Sequence, residues 1–280
     1  MLTPRRGKTP LAFGAIGGLD PRTPRFAEYL IGTPLHAARR AAHGLPALTA
    51  TPLPAPPVTQ DNIAVAFDKI GAAHPGATIA DIFPMDGNDT IGDCVTAALF
   101  HASTLFQGMI GHESVGTAQE CLDLYYQLTG GPDSGLNVGD TLTSWRANPV
   151  GPAGDKIAAY VSVDPTNKTH VQQAIQLFGA VVIGFTVQVD CIPDFDAGIA
   201  WTPGPATSDG HCVIGGAYQG ERDRLSVLTW AARHQAEWEW LAQMAQAVYA
   251  VLPPEASQPG FEVPGFDVAL LQTDLGLVQN

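Results

Sequence analysis

Near Gly154 the apolar pattern of this chain changes its period, and that change limits the folds open to it. Before it, Cys94 to Gln107 (CVTAALFHASTLFQ) and Thr117 to Thr129 carry apolar residues at helical spacing. A shorter helical stretch spans Thr141 to Ala147, and Asp93 stands where the N-cap of the first helix is expected. After it, one more helical pattern, Thr169 to Phe178, gives way to β-branched runs at Ala180 to Val189, His211 to Tyr218 and Leu225 to Trp230. Ala245 to Leu252 is suited to close the same sheet. Helices first and strands second predict an α+β architecture of two lobes: a helical lobe around a central Cys-bearing helix, then an antiparallel sheet or barrel.

The folded body is expected over residues 61–253. Residues 1–60 are rich in Pro, Gly and Ala and end in LTATPLPAPPVTQ, where proline imposes extended backbone; they read as an arm, with one short amphipathic helix at Thr33 to His43. An arm of this composition is expected to be disordered unless something holds it. Residues 254–280 read as a peripheral C-terminal extension.

Charge and cysteine usage narrow the function classes. A formal net charge of −13 repels phosphate backbones, so nucleic acid is not an expected partner. Seven of the 14 Lys and Arg residues (Arg5, Arg6, Lys8, Arg22, Arg25, Arg39 and Arg40) fall in the first forty positions. Such a basic arm suits docking to an acidic surface, on a protein partner or a second copy of the chain. No apolar run reaches the ~20 residues of a membrane span, and the start lacks the core of a signal peptide, so a cytoplasmic location is expected, with association into an assembly as the variant reading. Cys94, Cys121, Cys191 and Cys212 are too far apart for a CxxC zinc site and are expected as free thiols. Nothing resembles a phosphate-cradling loop or a metal cluster, so no cofactor and no metal are implied.

A thiol becomes a nucleophile when its thiolate is stabilised, and a helix N-terminus supplies partial positive charge for that. Cys94 is so placed, and His211, opening a strand after the turn SDGH, is the imidazole candidate to pair with it. In this pattern the chain resembles the papain-like cysteine peptidases. Their nucleophile follows a carboxamide by six positions at the start of a long helix; here NDTIGDCVTAALFHA has Asn88 six before Cys94, with the Gly-x-Cys step kept as Gly92-Asp93-Cys94. Downstream, LNVGDTLTSWRANPVG is similar to the lead-in to the crossover between lobes, HVQQAIQLFGAVVIGFTV to the family's helix and following strand, and DGHCVIGGAY to its His-bearing strand. VLTWAARHQAEWEWLAQMAQAVYAVL stands where the family has its Asn-Ser-Trp strand, a turn and a final strand. About 190 residues correspond in order.

The resemblance implies a peptide or protein substrate, with Cys94 attacking a carbonyl, His211 moving the proton, and Asn88 with the Cys94 N–H stabilising the oxyanion, a contribution of about 100-fold or more. It also implies Trp230 lying over His211. The family's His-orienting Asn is replaced by Leu228, which leaves Thr229 as the candidate orienter or the pair as a dyad, and the Trp that follows the nucleophile is replaced by Val95. Cys121 and Cys191 are expected as core thiols, and Cys212, next to His211 on a strand, as a core thiol on the opposite face. His101 and His112 are expected on helix and loop surfaces, His234 in a turn, Asp209 in turn formation, and Trp201, Trp238 and Trp240 in packing.

Two functions from different classes fit. The first is a papain-like thiol hydrolase, a cysteine peptidase or amidase, which expects an open cleft with the Cys94 and His211 side chains within about 4 Å. The alternative is a catalytically weak or inactive papain-fold protein serving as a structural or binding component of a larger assembly through its arm; it expects the arm or tail to fill the cleft, or the arm to run far from its own body. A third version, an arm that blocks the cleft until cut, ranks behind these, because the family's inhibitory pro-regions are helical and residues 1–60 mostly are not.

Overall fold

The computed structural model describes residues 11–48, 53–151, 154–258 and 261–277. Its first elements are a two-residue strand β1 (Ala15–Ile16) and helix α1 (Pro34–Ala42), where Pro34 stands in the first turn and the Thr33 hydroxyl accepts the His36 N–H. Strand β2 (Gln60–Asp61) feeds α2 (Asn62–Ala73), capped by the Asp61 carboxylate, and a single turn α3 (Ile79–Ile82) follows. Helix α4 (Cys94–Met109) is the axis of the helical part: every residue from Cys94 to Gly108 is buried, as a helix apolar on all sides requires. Helix α5 (Ala118–Thr129) opens on a reciprocal Thr117–Glu120 capping box, and the two-residue strand β3 (Leu136–Asn137) runs directly into α6 (Val138–Ala147).

The remaining elements are β4 (Ala159–Ser162), α7 (Lys168–Phe178), β5 (Val181–Gln188), α8 (Cys191–Ala197), β6 (Ala206–Gln219), β7 (Arg224–Thr229), β8 (Ala232–Glu237), α9 (Trp238–Met244), β9 (Ala245–Leu252) and α10 (Val268–Leu277). One sheet runs in the order β4-β9-β5-β6-β7-β8 with antiparallel pairing throughout, and β2 adds to β6. This is the expected helices-then-sheet α+β order. Side chains alternate along β5 and β6, so the sheet has a buried cluster on each face. Val182, Cys212 and Ile214 join Ile63, Leu99, Leu105 and Trp145 of α2, α4 and α6. Val181, Ile183, Phe185 and Val213 join Val171 of α7, Trp240 of α9 and Trp201.

Several expectations need correction. The arm is not free of the body: Phe26, Tyr29 and Leu30 are buried in the second cluster, although Arg5, Arg6 and Lys8 lie outside the described residues. The tail is not peripheral either, because Phe266, Leu270, Leu271 and Leu275 are buried beside them. Each fully buried Leu or Phe of this kind stabilises by about 1.5–3 kcal/mol, enough to fix both termini to the sheet. His101 is buried in α4, its Nε2 2.8 Å from Pro84 O and 3.3 Å from Asp86 Oδ2, and His234 is buried within β8 rather than in a turn.

Candidate active site

Cys94 occupies the first turn of α4, held there by the turn before it. The Asp133 carboxylate accepts the Gly92 N–H at 3.1 Å and the Tyr125 hydroxyl at 2.5 Å, so one acid ties the Gly92–Cys94 step to α5. Asp93 stands at the N-cap but does not cap with its side chain. Its Oδ1 accepts the Asn88 Nδ2–H at 3.1 Å instead, and burial, with the negative Asp86 and Asp133 nearby, pushes its carboxyl up to about 8 against that bond. Asn88 is buried and its second short contact is to Ile91 O at 3.4 Å. Its N–H donors are therefore turned to Asp93 and Ile91, and stabilising an oxyanion requires the carboxamide to rotate.

His211 lies on β6 with its ring between aromatic faces. Trp230 stacks on it at 4.4 Å between centroids with an 18° interplanar angle, and Phe185 meets it edge-on at 5.6 Å. Nε2 is 2.8 Å from Thr229 Oγ1, while Nδ1 has no partner among the described residues. Burial holds the ring neutral, lowering it to about 3. The β7–β8 hairpin builds this arrangement: Thr229 pairs with Ala232, and the two residues between them, Trp230 and Ala231, have φ of 47° and 58°. Positive φ at both central positions is the geometry of a two-residue type I′ turn, normally given to Asn and Gly. A Trp held there is strained by about 1–2 kcal/mol, and the stack on His211 is what that strain maintains.

The arm crosses the site. Gly14 and Ala15 are buried, and their N–H groups approach the Cys94 thiol together with that of Cys212. Leu136 donates its N–H to Gly14 O at 2.7 Å, Ala12 donates to Asn88 O at 3.3 Å, and β1 pairs with β3 in parallel register, Ala15 opposite Leu136. Phe13 meets His211 edge-on at 5.7 Å and Trp230 at 6.1 Å. Burial under this segment pushes the Cys94 thiol up to about 12, more than the surrounding N–H groups pull it down. The expected open cleft is thus filled by the arm, and among the described residues no hydrogen bond joins Cys94 to His211. In this closed form thiol and imidazole are both neutral.

Cys94, Asn88, Thr229 and Trp230 line one small void of about 10 Å³ with Cys212 and His101. Cys212 is a core thiol, as expected, on the α4 side of the sheet and beside Cys94. Cys121 and Cys191 are likewise buried and free. Sequence reasoning missed Phe13, Gly14, Ala15, Asp133 and the role of Asp93; the signal available for the first three was the run FGAIGG, a glycine-spaced segment able to lie extended against other backbone. Among the described residues no group of three or more His, Cys, Asp or Glu is arranged to hold a metal, and no helix is long and apolar enough to cross a membrane.

No family model and no curated protein matches the chain. Among solved structures it is similar to xylellain, a cysteine protease from Xylella fastidiosa, with 16% identity over 90% of this chain and 99% of that one and a TM-score of 0.55. It also matches the digestive procathepsin L2 proteinase of the Tenebrio molitor larval midgut, with 12% identity over 86% of this chain and 78% of that one and a TM-score of 0.48. With the Cys-bearing central helix packed on an antiparallel sheet and the match to xylellain across nearly the whole chain, this protein has the papain-like fold.

Proposed function

We propose that this chain is a papain-like thiol hydrolase acting on peptide or amide bonds, held closed by its own residues 12–16. The observation that carries the reading is the His211 ring: stacked on Trp230 and bonded at Nε2 to Thr229, it keeps Nδ1 free of partners among the described residues, in a fold whose central helix opens on Cys94. When the arm leaves, water and substrate replace it, and the proton of Cys94 passes to His211 Nδ1. The thiolate then attacks the substrate carbonyl carbon, the C–N bond breaks, and the imidazolium returns its proton to the leaving nitrogen. Water, deprotonated by His211, hydrolyses the thioester, releasing the acid and restoring the thiol. Thr229 orients the ring in place of the absent Asn, and Asn88 turns from Asp93 to meet the oxyanion.

The test is hydrolysis of an unfolded protein by the full-length chain carrying Gly14→Val, a side chain too large to seat in the closed cleft. Turnover that vanishes with Cys94→Ser supports the reading. Absence of turnover from a folded, arm-displaced chain refutes it and favours the second reading, a catalytically inactive papain fold, which the raised thiol pKa and the engaged Asn88 donors also fit.

A further inference from the structure

Resting on that reading, we infer that the cleft selects its substrate by main-chain clearance, accepting extended polypeptide with a glycine at the position crossing Gly92 and an aromatic residue immediately before it. The backbone around residue 14 is closer than any side chain permits. A Cβ built on Gly14 falls 1.6 Å from Gly92 O; one on Gly135 falls 2.2 Å from Gly14 O; one on Gly210 falls 2.1 Å from Ala15 O. Contacts under 3.0 Å against main chain are not relieved by rotating a rotamer. Two segments therefore converge on Gly14, the turn before α4 and the loop before β3, and a third, β6, on the next residue, Ala15. Each presents a glycine there.

The next position is restricted as well, since Ala15 is buried and its Cβ lies 3.6 Å from where a Gly210 Cβ would stand. The preceding position is the opposite. Phe13 is only partly buried, and its ring makes edge contacts with His211 and Trp230, the geometry aromatic pairs favour. An aromatic side chain delivered there covers the imidazole, while the glycine after it brings main chain down to the thiol. Beside the segment a cavity of about 310 Å³, bounded by Asp133–Gly135 and Ser208–Gly210, leaves room for side chains further along the peptide. The clearance is set by these fixed walls and not by the arm, so it applies to any extended chain that replaces the arm over Cys94.

The test uses the full-length chain with Gly14→Val, and with Gly14→Ala as the milder variant should the first not fold. Alkylation of Cys94 by iodoacetamide is followed by mass spectrometry in the presence of three synthetic peptides: LAFGAIG, LAFAAIG and LAAGAIG. LAFGAIG is expected to protect Cys94 at a concentration at least about tenfold below LAFAAIG, the size of one overpacking clash, with LAAGAIG between them. Equal protection by LAFGAIG and LAFAAIG overturns the glycine selection and leaves the hydrolase reading standing, as does rapid labelling that no peptide slows. A Cys94 that labels no faster than the core thiol Cys191 in the displaced variant overturns both.

Discussion

The arm touches the body in two places, and the two contacts are built from opposite materials. In the cleft, residues 12–16 lie backbone against backbone among glycines, with two backbone hydrogen bonds to the body outside β1–β3 pairing and no ion pair among the described residues. Farther along, α1 and Tyr29 meet the tail through charge. Asp274 accepts from the Tyr29 hydroxyl at 2.6 Å and Arg39 Nε at 2.9 Å, with His43 Nε2 at 2.6 Å; Asp267 accepts from Arg40 Nη1 at 2.6 Å, with His36 Nε2 at 3.0 Å. Both carboxylates are buried, yet these donors more than offset the cost of burial and hold both below the usual carboxylate range. The cleft contact has shape without strong bonds. The clamp has strong bonds remote from the thiol. The difference teaches that the segment over Cys94 is fitted by shape, whereas the strong polar bonds of the N-terminal region lie at the tail, where Arg39 and Arg40 find acidic partners on their own chain.

The comparison breaks most visibly at the cleft. Gly210→Ala sets a methyl against Ala15 O, a clash of about 3 kcal/mol, and raises Cys94 alkylation about a hundredfold with the clamp intact. Asp274→Ala leaves the Tyr29 hydroxyl and Arg39 without their acceptor and His43 without the carboxylate beside it. Because Arg39 and His43 retain access to water, the expected loss is about 2 kcal/mol, and Cys94 alkylation rises about thirtyfold although the cleft itself is untouched. An unchanged rate in this variant breaks the division of labour between the two contacts.

Acid sharpens it. His211, which Phe13 meets, has its native value lowered by burial to about 3, so a state that opens it to water binds more protons below about 6.5, and closure weakens as the pH falls through that window; His234, lowered to about 4 away from the arm, adds the same trend to overall stability. Asp267 and Asp274 act in the same sense at lower pH: their stabilisation is complete above about 3.9 and lost as the pH falls through their lowered values. Cys94 accessibility, measured by brief alkylation after return to a common pH, rises as the incubation pH falls from 7 to 4. The smallest effect is at the ring. Thr229→Val removes the Nε2 partner and lowers turnover of the opened chain about tenfold, the value of one hydrogen bond of about 1.4 kcal/mol, with little change in Cys94 accessibility.

The parts of this site legible in the sequence were those carried by period and order. Cys94 heads a helix whose apolar spacing is continuous, and His211 opens a β-branched run, so their elements follow from local pattern. Trp230 stacks on His211 at 4.4 Å between centroids. Its turn was not legible, because Trp-Ala carries none of the Asn-Gly chemistry of a type I′ turn and is held by tertiary packing. The arm's route over Cys94 left no periodic trace, since backbone-to-backbone contact across more than seventy residues requires only glycines. The clamp did leave one: His36, Arg39, Arg40 and His43 repeat at helical spacing, and Asp267 and Asp274 stand seven apart. Asp93 misled because an N-cap residue ordinarily bonds its own helix, whereas here Asn88 reaches the carboxylate first.

The most direct test is the pH profile of Cys94 alkylation in the full-length chain carrying Gly14→Val, compared with the same chain also carrying His211→Ala. The account predicts a rate plateau reaching well below pH 7 in the first and an upward shift of the profile in the second, the mark of a thiolate stabilised by imidazolium. A rate that rises only near the free-thiol value of about 8.5 in both chains contradicts it, and leaves Cys94 as a thiol that the arm covers but that His211 never activates.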